Sequence, residues 1–74
     1  MMVKIRIDDS QEKIGNNIQK FREAANLSQS ELARRIGMSP SSVSEWEAGC
    51  HSPRYNVMFR IAKVLGVTVA DLLS

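Results

Sequence analysis

Few residues in this chain of 74 have types and spacings suited to catalysis or metal binding. Cys50 and His51 are adjacent, and a thiol beside an imidazole could act as a nucleophile or hold a metal ion. Either chemistry needs further ligands or a third orienting group, and the chain contains no second cysteine or histidine. No pattern of paired carboxylates and no glycine-rich phosphate loop is visible either. The sequence therefore predicts a protein that is not an enzyme, with no metal site and no cofactor.

The segment 40–47 suggests a different chemistry, because it is short and has few apolar residues. Val43 and Trp46 are clearly apolar, and in a helix their spacing of three places both on one face. The other side then presents Ser41, Ser42 and Glu45. Small hydroxyls let a helix backbone approach a surface closely, which is typical of a helix that contacts DNA. A merely solvated polar face is the alternative.

The elements that must position these residues carry their own start and stop signals. Capping boxes mark three helix starts, at Asp9, Ser28 and Thr68. Gly37 suits a left-handed helix end, and Ser39-Pro40 begins the next helix as N-cap and first helical residue. The predicted helices run from residue 10 to about 25, over 29–36, over 40–47, from 53 to 65, and over a last turn after 68.

These signals predict an all-α fold in which five helices form one domain, residues 10–74, behind a short N-terminal arm, residues 1–9. In the arm, Val3, Ile5 and Ile7 alternate with basic residues, as in a half-buried strand. A frayed terminus is the simpler interpretation. The functional interpretation is an arm that pairs with another chain or covers an edge of the domain.

Composition excludes several classes of protein. A chain of this length has room for one domain, and its single cysteine cannot form an internal disulfide. No apolar run is long enough for a signal peptide or a membrane span, so we expect a cytoplasmic protein without membrane contact. The net charge is +2, and residues 13–74 carry eight bases and five acids. For Arg34 and Arg35 two interpretations stand side by side, contact with phosphate and a solvated helix face.

The order of these elements resembles the Cro/cI repressor-type (XRE-like) helix-turn-helix family. The resemblance covers about residues 11–73 and rests on the sequence runs Leu27-Ser28-Gln29, Glu31-Leu32-Ala33, Gly37-Met38-Ser39, Val43-Ser44, Trp46-Glu47-Ala48-Gly49, Pro53 and Ile61-Ala62-Lys63-Val64-Leu65-Gly66-Val67. It implies sequence-specific binding of double-stranded DNA by a transcriptional repressor or activator whose helix 40–47 enters the major groove, and we expect a repressor. It also implies a homodimer on a palindromic operator. Leu72 and Leu73 are then candidates for dimer contacts or for the core.

The resemblance also assigns roles to single residues. It places Pro40, Ser41 and Glu45 at base-reading positions with Ser42 nearby, and Gln29 and Arg54 at phosphate contacts. Ser28 and Ser39 precede helix N-termini whose backbone N–H groups can bind phosphate. Arg22 and Glu47 match a partly buried structural ion pair of the family.

Glu45 departs from the Lys, Arg or Gln that many family members carry at its position. A carboxylate accepts a hydrogen bond from the cytosine amino group and repels phosphates, so we expect a preference for a C·G pair there. The acidic Glu45 and the modest net charge also support an alternative function. In that alternative the fold is an antitoxin-like protein-interaction module, with a protein partner and with DNA binding secondary.

Overall fold

Five helices form the part of the chain that the computed structural model describes, which is the backbone of residues 7–74 and the side chains of residues 11–74. The helices are α1 (Ile7–Ala24), α2 (Gln29–Ile36), α3 (Pro40–Glu47), α4 (Tyr55–Leu65) and α5 (Val69–Leu73). No strand occurs within these residues, so the predicted all-α fold class is confirmed. The predicted arm covers residues 1–9, of which residues 1–6 lie outside the described part. Residues 7–9, which include Ile7 of the strand-like alternation, belong to the first turn of α1, so this part of the arm is helical and not extended.

Two predicted helix starts are wrong. Helix α1 begins at Ile7, three residues before the predicted start at residue 10, so Asp9 lies inside the helix and does not cap it. Helix α4 begins at Tyr55 and not at Pro53. Pro53 is buried in the connection, and Arg54 is still extended, with φ −67° and ψ 159°, so the helical backbone starts only after it.

The core lies where one stripe from each helix meets the others. Its buried side chains are Ile14, Ile18, Leu32, Ala33, Ile36, Val43, Trp46, Val57, Met58, Ile61, Ala62 and Leu72. Leu72 is fully buried, whereas its neighbour Leu73 is 45% exposed. Of the two leucines at the C-terminus, the first therefore belongs to the core and the second to the surface.

Helices α1 and α3 pack with direct backbone contact at Gly15. A Cβ atom built on Gly15 would lie 2.0 Å from the carbonyl oxygen of Trp46, far inside any real contact distance. Only a residue without a side chain fits there. Gly15 thus sets how closely the C-terminal turn of α3 approaches α1.

Asn17 fastens the C-terminal helix to the same side of α1. Its side-chain amide donates a hydrogen bond of 2.9 Å to the carbonyl oxygen of Leu72, near the end of α5. Since helix C-terminal carbonyls have no partner within their own helix, this bond satisfies one of them. Helix α1 therefore contacts both α3 and the last helix of the chain.

Candidate nucleic-acid interface

The turn between α2 and α3 fixes how the second helix leaves the first. Gly37 ends α2 in the left-handed region, with φ 75° and ψ 29°, as its sequence position predicted. The backbone N–H of Met38 donates to the carbonyl oxygen of Ala33 at 2.8 Å, and the half-buried Met38 side chain packs against the core. The turn is therefore held at its glycine, by a backbone bond and by an apolar anchor.

Helix α3 is anchored along one edge and exposed along the other. Val43 is 0% exposed and Trp46 is 2% exposed, so both belong to the core, as their spacing predicted. Four residues of the helix are exposed: Pro40, Ser41, Ser44 and Glu45. The helix therefore presents a polar edge, free of Lys and Arg, on a firmly held backbone.

Hydroxyl groups cluster at the N-terminus of α3. The Ser39 hydroxyl lies 3.1 Å from the hydroxyls of Ser41 and of Ser42, and it accepts a hydrogen bond of 3.3 Å from the Ser42 backbone N–H. Pro40 occupies the first helical turn, where its missing N–H costs no hydrogen bond. The structure thus brings four predicted site residues together around one helix N-terminus, which is the positive end of the helix dipole.

At the start of α2, Ser28 and Gln29 have different environments. Ser28 forms a capping box with Glu31: its hydroxyl accepts from the Glu31 backbone N–H at 3.0 Å, and the Glu31 carboxylate accepts from the Ser28 backbone N–H at 3.3 Å. The side-chain amide of Gln29 donates to Glu47 Oε1 at 2.8 Å. That amide group is therefore already engaged by a carboxylate of α3.

Arg22 and Glu47 are joined by two parallel hydrogen bonds. Arg22 Nε lies 2.6 Å from Glu47 Oε2, and Arg22 Nη2 lies 3.0 Å from Oε1. The third guanidinium nitrogen, Nη1, donates to the carbonyl oxygen of Leu27 at 2.8 Å. The two charged side chains are 10% and 5% exposed. With Gln29 this contact links α1, the start of α2 and the end of α3.

The hydrogen bonds that Arg22 donates to the Glu47 carboxylate raise the pKa of Arg22 above its ordinary value, against the opposing effect of burial. Arg22 is therefore charged at neutral pH. Its charge is satisfied inside the domain and does not contribute to a basic surface.

A shallow groove of about 170 Å³ lies beside α3. It is lined by Met38, Ser42, Trp46, His51, Ser52, Pro53, Arg54 and Val57. Arg54 is exposed on this groove near the N-terminal turn of α3. In sequence, the rest of α3 and the connection to α4 separate Arg54 from that turn. All eight predicted DNA-contact residues thus lie at the start of α2, on α3 or on this groove.

One contact on this surface was missed by the sequence reasoning. Nε2 of His51 lies 2.9 Å from Oε1 of Glu45, and both side chains are about half exposed. From the sequence alone, the imidazole is a candidate only for metal binding or for activating a nucleophile. The signal in the sequence was weak, since a six-residue separation across Gly49 predicts no contact in a helix or a strand.

No helix of residues 7–74 is long and apolar enough to cross a membrane. Among the residues that the structure describes, no group of three or more His, Cys, Asp or Glu side chains is arranged to hold a metal ion.

The family model described as "Helix-turn-helix" matches residues 18–72. An uncharacterized HTH-type transcriptional regulator of Methanocaldococcus jannaschii, MJ0272, is 33% identical over 57 residues, which are 77% of this chain and 86% of that protein. The cryptic phage CTXphi transcriptional repressor RstR of Vibrio cholerae is 32% identical over 59 residues, 80% of this chain and 53% of that protein.

A solved structure of a regulator and one of an enzyme both share the fold. The biofilm master regulator SinR, solved in complex with DNA, superposes with a TM-score of 0.78 at 32% identity, covering 82% of this chain and 98% of that one. Hydroxypropylphosphonic acid epoxidase from S. wedmorenis superposes with a TM-score of 0.80 at 26% identity, but the match covers 88% of this chain and only 35% of the enzyme. The match to the enzyme is therefore confined to about a third of its length.

Because the family model covers most of the residues and the curated relatives are also described as helix-turn-helix regulators, the chain belongs to the Cro/cI repressor-type helix-turn-helix family of transcriptional regulators.

Proposed function

We propose that the protein is a repressor that recognises a specific double-stranded DNA sequence by inserting α3 into the major groove. The observation that carries the proposal is the division of α3, with Val43 and Trp46 buried and the opposite edge exposed. A helix held in this way can present side chains to base edges without losing its own support. The repressor RstR and the DNA complex of SinR, both similar to this chain, support the same function.

Phosphate contacts would come mainly from uncharged groups. The first backbone N–H groups of an α-helix have no partner within the helix, and the positive end of its dipole attracts anions. The N-termini of α2, at Ser28 and Gln29, and of α3, at Ser39 and Pro40, supply such groups. Arg54, exposed on the groove, adds a charged contact.

Base contacts would come from Ser41, Ser42 and Glu45. The Glu45 side chain is 54% exposed and lies one turn beyond the hydroxyl cluster, where its carboxylate can accept from a cytosine amino group. A C·G pair is therefore the preference that we assign to this position. Serine hydroxyls donate and accept, so they add contact with less discrimination.

We assign the regulator a two-fold dimer that binds a palindromic operator, with half-sites about one helical turn apart. The large exposed hydrophobic side chains of the described residues are Tyr55, Phe59 and Leu73, all on α4 and α5. Tyr55 and Phe59 contact each other edge to face, with ring centroids 4.9 Å apart. Phe59 also lines an apolar groove with Val67 and Val69. This surface is where a second copy would bury apolar area, and sedimentation of Phe59→Glu beside the wild type tests it.

The decisive experiment is binding-site selection from random duplexes, followed by titration of the selected and of a scrambled duplex at two salt concentrations. We expect the selected duplex to bind at least about 1,000-fold more tightly. Arg54→Ala should weaken binding to all sequences and reduce the salt slope by about one per protomer, because one phosphate contact is lost. Lys20→Ala is the matched control, since Lys20 is an exposed cation on α1, a helix that supplies none of the proposed DNA contacts. Equal affinity for all duplexes, or none at low salt, would defeat the proposal.

A specific observation favours the second candidate, a protein-interaction module that holds a partner as an antitoxin holds a toxin. Helix α3 carries no Lys or Arg, and its two charged residues are the acids Glu45 and Glu47. Glu45→Lys separates the two functions. A DNA reader should change its preferred base pair at one position, whereas a module that binds only protein should show no DNA binding before or after the change.

A further inference from the structure

We propose that His51 is a positioning residue that orients the Glu45 carboxylate for base contact and makes DNA affinity depend on pH. The inference rests on the proposed function, since it concerns how the same surface meets DNA. It adds a specificity-determining residue that lies outside α3.

The connection after α3 returns His51 to the exposed edge of the helix. Gly49 adopts a positive φ of 81°, and the backbone N–H of Cys50 donates to the carbonyl oxygen of Glu45 at 3.0 Å. The chain therefore turns back at Gly49, immediately after α3, toward the helical turn that contains Glu45. The imidazole Nε2 then lies 2.9 Å from Glu45 Oε1, which leaves the other carboxylate oxygen for a base edge.

The contact contributes little to folding. Glu45 and His51 are 54% and 51% exposed, and exposed ion pairs have small effects because water screens them. A hydrogen bond that restrains an otherwise mobile carboxylate has a larger effect once DNA excludes water from the surface. The geometry therefore fits a role in recognition better than a role in stability.

The charge of the pair depends on the imidazole. With a neutral His51 the pair carries one negative charge, and with a protonated His51 it carries none. The other charged or titratable groups near the imidazole are Arg54 on the groove, the exposed thiol of Cys50, and Glu12 of α1, whose side chain lies against Gly49. Arg54, the cation among these groups, forms no ion pair with Glu45, so the charge beside the Glu45 carboxylate depends on His51. Nearby phosphates favour the protonated form, so DNA binding takes up a proton.

The sign of the effect follows from this uptake. Histidine is the side chain that changes charge between pH 5 and 8. A binding reaction that takes up one proton per protomer weakens as pH rises, by at most about tenfold in affinity per pH unit per protomer.

The test compares the wild type with His51→Gln and His51→Ala on the selected duplex between pH 5.5 and 8.5, at constant ionic strength. The Gln amide keeps a hydrogen-bond donor near the position of Nε2 but does not titrate, whereas Ala removes both properties. We expect the pH dependence to disappear in both variants. The preference for C·G over other base pairs at the Glu45 position should persist in His51→Gln and fall about three- to tenfold in His51→Ala, in line with the loss of one oriented contact.

Cys50→Ser is the matched control, because it changes the neighbouring exposed titratable group and should keep the wild-type pH profile. Both His51 variants should have the same melting temperature as the wild type, which shows that they are folded. An unchanged pH profile in His51→Gln, or an unchanged base preference in His51→Ala, overturns the inference and leaves DNA recognition intact. If the wild type binds no DNA at any pH, the proposed function fails and the inference fails with it.

Discussion

Glu47→Ala is expected to be strongly destabilising, because the buried Glu47 carboxylate joins α3 to α1 and to the start of α2. The Glu47 carboxylate accepts two hydrogen bonds from Arg22 and one from Gln29, and its side chain is 5% exposed. Its removal leaves the Arg22 guanidinium charged and without its carboxylate inside the domain. Stranding a buried charge in this way costs about 3–5 kcal/mol.

The size of this loss must be compared with the stability of the whole domain. At about 0.05–0.15 kcal/mol per residue, a chain of this length has a free energy of unfolding of about 4–11 kcal/mol. For a domain of this size, each kcal/mol shifts the melting temperature by about 4–8 °C, so we expect a decrease of at least about 12 °C. Because the pKa of Arg22 is raised and the guanidinium is charged at both pH 6 and pH 8, the decrease should be the same at these two pH values.

Thermal and urea unfolding, followed by circular dichroism, measure the effect. Glu47→Gln provides a milder variant if the alanine variant does not fold, since its amide oxygen still accepts from Arg22 but carries no charge. The control is Arg34→Ala, because Arg34 and Glu31 form an exposed pair at 4.0 Å, for which we expect about 0–1 kcal/mol. The double variant Arg22→Ala/Glu47→Ala should lose less than the sum of the single losses. A melting temperature of Glu47→Ala within about 3 °C of the wild type would refute the reasoning.

Two further substitutions probe how α3 is held. Gly15→Ala places a methyl group 2.0 Å from the Trp46 carbonyl oxygen, so α1 and α3 must separate. We expect the free energy of unfolding in urea to fall by about 1–3 kcal/mol and DNA binding to weaken. Wild-type values for both measurements would contradict the close packing. Ser39→Ala removes the hydroxyl that caps α3, with an expected loss of about 1 kcal/mol in the same measurement, whereas Ser39→Thr should retain most of the cap. Equal losses in the alanine and threonine variants would show that the hydroxyl is not the cause.

Local signals predicted α2 and α3 to the residue. The Ser28 capping box, the Gly37 turn and the Ser39-Pro40 start each involve neighbours in sequence, so their hydrogen bonds can be inferred without knowing the fold. The same rule failed at Asp9, where a capping pattern lies within a helix that begins earlier. A local pattern permits a helix start but does not exclude a preceding turn of helix.

Contacts between distant segments were harder to infer. The Arg22–Glu47 pair was expected only through resemblance to a family, whereas the bond from Gln29 to Glu47 was not expected at all. The His51–Glu45 contact and the role of Gly15 depend on where a loop returns and how closely two helices approach. Hydrophobic periodicity indicates which face of a helix is buried but contains no information on these distances.

In the proposed mode of DNA binding, the division of α3 into a supported edge and an exposed edge makes the preferred base sequence replaceable without loss of the fold. Val43 and Trp46 hold the helix, whereas Ser41, Ser44 and Glu45 lie on the exposed edge. Substitutions on that edge change what the helix meets and leave its support in place. On the proposed function, a new preferred DNA sequence can therefore be acquired in a few mutational steps, and selection from a library randomised at these three positions tests this expectation.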